Sequence, residues 1–374
     1  MKKDWEIKKL GEVCEIECGT RVVRKVDGGT IYPVYGGGGA TFKMNTYNRE
    51  DCLIVSRFAM SEKCTRFVEG KFFLNDSGLS LKANENVIYQ KYLETVILGK
   101  NDEIYSLGRG AAQKNLDMAR FRELKISYPK SLEEQKRIVK ILDEKFAQLE
   151  TIKANAQNNL QNAKDLFQSQ LTKAFSNTTW EKAKLEDIAL DFSRGKSKHR
   201  PRNDKCLFGG DYPFIQTGDI RNADKYVTDY SETYNETGLA QSKLWPAGTL
   251  CITIAANIAE TAILSFPCCF PDSVIGFIPN EKLTTVDFVY YLIQFFKSEL
   301  QNLSKGAAQD NLNLAKFENM NFPLPPLPEQ KRIVKELDTL SEKVRQLQEI
   351  YTKQIANCAE LKQSLLQKAF EGEL

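Results

Sequence analysis

Histidine is almost missing from this chain: among 374 residues only His199 carries an imidazole. That excludes a histidine-based triad, a histidine acid–base couple and a two-histidine metal centre. Apolar residues make up 42% of the sequence yet never run 18 in a row. The opening MKKDWEIKKLGEV is charged where a secretion signal needs an apolar stretch, so a cytoplasmic chain with no membrane segment is expected. Nine cysteines, an odd number, are scattered, and the only close pairs are Cys14 with Cys18 and the adjacent Cys268 and Cys269. This suits reduced thiols better than a disulfide framework or a zinc site, and no metal is expected. No G-x-x-x-x-G-K-[ST] phosphate loop occurs, and no N-P-P-Y or D-P-P-Y tetrapeptide of the kind that grips a flipped base for amino-methylation. The four glycines at 36–39 lead into ATFKMNTYN, which opens no helix to hold a phosphate. Catalysis by this chain alone is not expected, and the net charge of +3 is uninformative until its distribution is considered.

What is present is a repeat. EQKRIVK stands at 134–140 and, letter for letter, at 329–335. The match extends to GAAQKNLDMARFRELKISYPKSLEEQKRIVKILD (110–143) against GAAQDNLNLAKFENMNFPLPPLPEQKRIVKELD (306–338), and to LFQSQLTKAF (166–175) against LKQSLLQKAF (361–370). WEIKKLGEVCEIECGT (5–20) likewise pairs with WEKAKLEDIALDFSRG (180–195). The chain is a tandem duplication, each half a variable segment followed by a similar segment of about 45 residues. The domain reading is 1–130, a helix at 131–175, 176–325, and a helix at 326–374.

The two similar segments read as long helices, free of internal glycine and proline. Ile333, Leu337, Leu340, Val344, Leu347, Tyr351, Gln354, Cys358, Leu361 and Leu365 recur at alternating steps of four and three. The matching positions of the first copy are Ile138, Leu142, Lys145, Leu149, Ile152, Ala156, Asn159, Ala163, Leu166 and Gln170. This is a coiled-coil seam, and the favoured reading pairs the two copies with each other, antiparallel, as a spacer. The plainer reading packs each helix on its own globular neighbour. Ser131 with Glu134, and Pro328, mark the helix starts. Within EQKRIVK the expectation is that Ile138, Val139, Ile333 and Val334 enter the seam while Glu, Gln, Lys and Arg remain solvated.

The variable segments read as mixed α/β (α+β) domains in tandem. Strands are expected at CLIVSRF (52–58), KFFL (71–74), PFIQTG (213–218) and TLCITIA (249–255), with helices at 88–99, 286–302, Leu116–Phe121 and Leu312–Phe317. Between their shared ends the halves hardly agree, YGGGGATFKMNTYN in one facing IQTGDIRNADKYVTDY in the other. Two similar platforms with unlike faces suit similar tasks on different targets. The segment SRGKSKHRPRNDK (193–205) sets Arg194, Lys196, Lys198, Arg200, Arg202 and Lys205 against Asp204 alone. Such a basic, Gly- and Pro-containing loop suits phosphate contact and groove entry. Gln216, Thr217, Asp219 and Arg221 stand nearby as candidate base readers. The first half has a sparser set in Arg21, Arg24 and Lys25, joined by Lys43 and Arg57; Arg49, Lys63 and Arg66 are weaker candidates of the same kind. The bland alternatives are a solvated loop, or a scaffold whose basic loops are incidental; a fused methyltransferase fragment is opposed by the missing tetrapeptide.

The order variable domain, helix, variable domain, helix, with GAAQ-x-NL before each helix, PLPPLPEQKRIV opening the second and KAF closing each, resembles the specificity subunit of type I restriction-modification systems. FIQTGDI, GLAQSKLWPAGTLCITIAANIA and FPDSVIGF are similar to segments of that family, and the resemblance covers essentially the whole chain. It implies two target-recognition domains, each reading half of a split, asymmetric double-stranded DNA site, with the coiled coil (Leu142, Leu149, Ile152, Leu337, Leu340, Val344 and Leu347) as spacer. It implies no cofactor in this chain. The partners implied are two modification subunits, which use S-adenosylmethionine to methylate adenine, and motor-nuclease restriction subunits, which use ATP and Mg. YGGGGATF departs from the family pattern, standing where an IQTGDI-type element is expected.

Overall fold

The computed structural model describes residues 4–111, 113–255, 258–302 and 317–374. The chain forms two compact units, Met1–Asn158 with Tyr351–Leu374, and Asn159–Ile350.

The first unit runs β1 (Trp5–Lys9), α1 (Leu10–Val13), β2 (Cys14–Cys18), α2 (Arg24–Asp27), β3 (Tyr32–Tyr35), β4 (Lys43–Met44), β5 (Arg49–Ser56), β6 (Thr65–Leu74) and β7 (Gly78–Ala83). There follow α3 (Gln90–Gly99), α4 (Asn101–Ser106), the short pair β8 (Gly108–Arg109) and β9 (Asn115–Leu116), α5 (Met118–Arg122), β10 (Lys125–Pro129) and α6 (Leu132–Ala174), whose residues from Asn159 on belong to the second unit. Its main sheet has the order β2-β7-β5-β6-β3-β4, with β3 parallel to β6 and the other pairs antiparallel. The continuous apolar run Leu53-Ile54-Val55 is explained by cover on both faces. Leu53 and Val55 join the core made with Leu93, Val96 and Ile97 of α3, while Ile54, on the opposite face, packs with Val68, Phe72 and Leu74.

The second unit runs β11 (Lys182–Ala183), β12 (Ala189–Arg194), β13 (Phe208–Phe214), α7 (Thr217–Asn222), β14 (Tyr226–Val227), β15 (Glu232–Tyr234) and α8 (Glu236–Ala240). It continues through β16 (Leu250–Thr253), β17 (Thr261–Leu264), β18 (Val274–Pro279), α9 (Val286–Asn302), β19 (Phe322–Pro323) and α10 (Leu327–Glu371), whose residues from Tyr351 on belong to the first unit. Its sheet order is β12-β18-β16-β17-β14, with the last pair parallel. The first unit's β2-β7-β5-β6 has the same order and the same strand directions as β12-β18-β16-β17. Likewise β1 pairs antiparallel with β10, as β11 does with β19, closing each domain on itself.

The halves therefore agree where their letters do not. Tyr32-Pro33-Val34 and Tyr212-Pro213-Phe214 occupy one place: Val34 lies parallel beside Phe73, and Phe214 parallel beside Cys269. Each neighbour then enters a tight turn, Asn75-Asp76-Ser77-Gly78 or Pro271-Asp272-Ser273-Val274, closed by an N–H to carbonyl bond of 3.0 Å from its fourth residue to its first. YGGGG and IQTGD thus follow equivalent strands.

Some local expectations are corrected. The strand expected at 213–218 ends at Phe214, because the Gln216 N–H donates to Asp219 Oδ2 (2.7 Å) and the chain turns into α7 at Thr217. The strand expected at 52–58 ends at Ser56, before Ala59 at φ 49°. KFFL is only the end of β6, which bends at Gly70 (φ 73°), whose N–H donates to Asp51 Oδ1 (2.6 Å). Leu116 lies in β9, and the helix after it starts at Met118 because Asp117 accepts from the N–H groups of Ala119 and Arg120. The GAAQ at 306–309 and the helix expected at Leu312–Phe317 lie outside the described residues, except Phe317.

The long helices hold 43 and 45 residues. In the first unit Arg137 donates to the Leu374 carbonyl (2.9 Å), and Lys362 meets both Glu150 (3.6 Å) and the ring of Phe146 (4.9 Å), so the start of α6 lies antiparallel to the end of α10. Each unit also uses both helices as core: Ile138, Val139 and Leu142 share a cluster with Leu366 and Ala369, and Leu171 and Phe175 share one with Ile333 and Leu337. Pairing and packing on the adjacent domain, posed as alternatives, both occur.

Two expectations about these helices fail. First, the glutamine of EQKRIVK is not solvated: Gln135 and Gln330 are both 0% exposed. Gln135 accepts from Tyr89 N–H (2.7 Å) and donates to Val87 O (3.2 Å) and Pro129 O (2.8 Å). Gln330 accepts from Thr284 Oγ1 (2.9 Å) and donates to Leu283 O (2.9 Å) and Pro325 O (2.8 Å). Each amide fastens its helix start to two loops of the domain before it. Second, the seam has a different phase. Leu142, Leu149, Leu337 and Val344 are buried and Leu340 half-buried, but Ile152 is 40% and Leu347 36% exposed. Their places are taken one residue later by Lys153 and Gln348, as Phe146, Leu160 and Phe167 replace Lys145, Asn159 and Leu166. At 3.6 residues per turn, position i+4 lies about 40° from i around the axis and i+3 about 60°, so the narrower stripe uses i+4. Lys153 can serve because its methylene stem covers apolar surface while its ammonium stays wet.

Candidate nucleic-acid interface

In the second unit the basic segment is a tightly fastened loop. It leaves β12 at Gly195, whose N–H donates to Val274 O (2.8 Å). A Cβ on Gly195 would lie 2.3 Å from Phe270 O and 2.5 Å from Pro271 O, so only glycine passes this close to the D-S turn. Gln241 Oε1 then accepts from the N–H groups of Lys198 (2.7 Å) and His199 (3.1 Å), and Ser242 Oγ donates to Lys196 O (3.0 Å). Arg200 turns inward to the carbonyls of Ser197 (2.6 Å) and His199 (2.8 Å), and Arg202 pairs with Asp272 of the turn at 2.7 Å. Both were expected to contact DNA; the geometry engages them first in holding the loop. Arg194, Lys196, Lys198 and Arg221 are exposed, and among the described residues none has an ion-pair partner.

The loop, α7 and the D-S turn enclose a cleft of about 560 Å³ lined by Ser197, Arg202, Lys205, Phe208, Phe214, Gln216, Thr217, Glu232, Tyr234 and Ser273. Arg202, Gln216 and Thr217, chosen from sequence, are thus brought together. Phe208, Glu232, Tyr234 and the first domain's N-D-S-G turn were missed, and the P-D-S-V turn was singled out only within FPDSVIGF. The signals for the equivalent strands and turns were short, Y-P-V against Y-P-F and N-D-S-G against P-D-S-V, inside a stretch whose letters otherwise diverge. His199, Asp204 and Cys206 also come together, their donor atoms within 4.8 Å of one another. Asp204 already accepts from Cys206 N–H (3.1 Å) and contacts His199 Nε2 (3.0 Å). The Cys206 N–H, then the imidazole, hold its carboxyl down at about 2.

The first unit repeats the frame with other contents. Gly19 N–H donates to Gly78 O (3.0 Å), and a Cβ there would lie 1.9 Å from Asn75 O. Arg21, Arg24, Lys25 and Lys43 are exposed, and among the described residues none has an ion-pair partner. Arg57 is half-buried, its guanidinium 3.8 Å from Cys18 Sγ and 4.7 Å from the centre of the Phe58 ring. Arg66 holds the glycine loop through Gly38 O (2.6 Å) and Gly37 O (3.3 Å), and Arg49 pairs with Glu17 at 2.9 Å. Those two weaker candidates are engaged within the fold, while Lys63 is exposed.

A family model described as type I restriction modification DNA specificity domain matches residues 2–162 and again 177–355. The chain belongs to that family. Two matches in one chain make two DNA-recognition domains, and this specificity subunit is the recognition, not the catalytic, member of its system. It is 26% identical over 300 residues to the type I restriction enzyme MjaVIII specificity subunit of Methanocaldococcus jannaschii, covering 73% of this chain and 68% of that one. It is 22% identical over 401 positions to the EcoDI specificity subunit of Escherichia coli, covering 99% and 89%. Among solved structures, a chain of a type I R-M system shares its fold at a TM-score of 0.80 with 20% identity, covering 100% of this chain and 99% of that one. The HsdS subunit from Thermoanaerobacter tengcongensis does so at 0.60 with 19% identity, covering 100% and 98%.

Proposed function

We propose that each recognition domain reads one half of a split, asymmetric double-stranded DNA site, and that the paired long helices set the gap between the halves. The observation that carries this is the equivalence of the two frames: one strand order, one Y-P strand and one D-S turn, followed by YGGGG in one domain and IQTGDI in the other. Like frames suit like partners, here two modification subunits that take S-adenosylmethionine and methylate adenine, and restriction subunits that take ATP and Mg, all in the cytoplasm. Unlike inserts suit unlike half-sites. A 43-residue helix is roughly 65 Å long at 1.5 Å per residue, against about 34 Å for one turn of DNA. The test is selection from random duplex pools by the chain with its modification partner. Two enriched blocks at a fixed gap are expected, and removing seven residues from both α6 and α10 should change the gap while leaving the blocks alone. A pool with no two-part enrichment would leave the scaffold reading standing.

A further inference from the structure

The cleft of the second unit is hollow, and a hollow suits a ligand that protrudes. Base edges read in place lie on the floor of a major groove about 8.5 Å deep, and are reached by protein elements that project into it. Here the walls close around an interior of about 560 Å³, within the size range of small-ligand pockets. One wall is aromatic: Phe214 stacks on Tyr234 with ring centres 4.2 Å apart, and Phe208 packs against both at 5.9 and 5.1 Å. Phe208 is half-buried and so retains accessible surface toward the cleft. On another wall Gln216 Nε2 donates to Glu232 Oε2 (2.8 Å), fixing a carboxylate whose other oxygen has no hydrogen bond among the described residues. At the cleft Lys205 carries an exposed charge with no ion-pair partner among the described residues, and Arg202 stands fixed by Asp272.

We propose that this cleft receives one nucleobase of the bound duplex, turned out of the stack, and selects one that bears an exocyclic amine, which thymine alone lacks. An aromatic face for stacking, hydrogen-bonding groups for the exposed Watson–Crick edge and cations for the flanking phosphates are what an unstacked base requires. A carboxylate only accepts, so it suits the amino group of adenine, cytosine or guanine and repels the two carbonyls that flank the single N–H of thymine. The first domain lacks the Gln216 and Thr217 side chains, because Gly36 and Gly37 stand at those places. The extruded base belongs to the second half-site alone.

This proposal rests on the DNA-reading function above. Its test uses the full chain with its modification partner and duplexes carrying 2-aminopurine at successive positions of the selected site, in either strand. Binding should raise fluorescence several-fold at one position of the second half-site or at its stacking neighbour. Phe208→Ala should abolish that rise while leaving any signal from the base the modification subunit itself turns out. Glu232→Gln, which keeps the side-chain shape, should relax the preference for an amino-bearing base at that position. Specific binding with no such signal, or a signal unchanged in both variants, overturns the pocket and leaves the recognition function intact. Absence of sequence-specific binding overturns both.

Discussion

Replacing Gln330 by leucine removes one amide and strands three partners. The side chain is fully buried, and so is Thr284, whose hydroxyl it accepts, while its own N–H groups satisfy Leu283 O and Pro325 O. A buried polar group left without a partner costs about 1–3 kcal/mol. The Thr284 hydroxyl can rotate and two carbonyls cannot, so the expected loss for Gln330→Leu is roughly 3–5 kcal/mol, net of leucine's favourable burial. For a unit of this size that lowers the midpoint by roughly 10 °C or more. Since the contacts of Gln330 lie in the second unit and those of Gln135 in the first, calorimetry should show a different transition lowered by each of Gln330→Leu and Gln135→Leu. A change below about 0.5 kcal/mol in either variant would refute the view that this glutamine ties the helix to its domain, and would return EQKRIVK to a solvated helix face.

Three further outcomes are expected. Arg194→Ala, Lys196→Ala and Lys198→Ala should each weaken DNA binding and reduce the salt slope by about one, whereas Arg202→Ala, which frees Asp272, should lower affinity with less change in slope; salt-dependent binding measurements decide. Lys225 joins Asp287 (2.7 Å) and Asp338 (2.6 Å) with its side chain only 16% exposed, while the equivalent helix aspartate, Asp143, pairs with the half-exposed Lys91. Lys225→Met should therefore cost about 1–3 kcal/mol in urea unfolding and Lys91→Met under about 1 kcal/mol. Burial raises the pKa of Glu94 despite its bond from Gln90 Nε2 (2.8 Å). The folded state then keeps that proton to higher pH than the unfolded chain, so its stability falls as pH rises from the unfolded to the folded pKa. Glu94→Gln should raise the first unit's melting temperature at pH 7, with the gain shrinking toward pH 4.

The glycines show how legible the site was. That SRGKSKH is a loop follows from its letters, but that Gly195 must graze Phe270 O and Pro271 O depends on a turn more than 70 residues away. Arg200, Arg202 and Arg66 looked the same as Arg194 and Lys198 in sequence, because charge is visible locally and a partner such as Asp272 or the Gly38 carbonyl is not. Glu232 and Phe208 gave no local signal at all, since their role arises only when β13 and β15 pair.

By itself the sequence determined the duplication, the two long helices and their apolar faces, since helical periodicity and repeated letters are local properties. Tertiary structure decided that Lys153 turns inward in place of Ile152 and Phe167 in place of Leu166, because both members of each pair carry apolar surface and only the packed partner distinguishes them. It also decided that YGGGG and IQTGDI are equivalent. That equivalence is set by parallel neighbours, Val34 beside Phe73 and Phe214 beside Cys269, far apart in the chain, where pairing fixes position without fixing side chains.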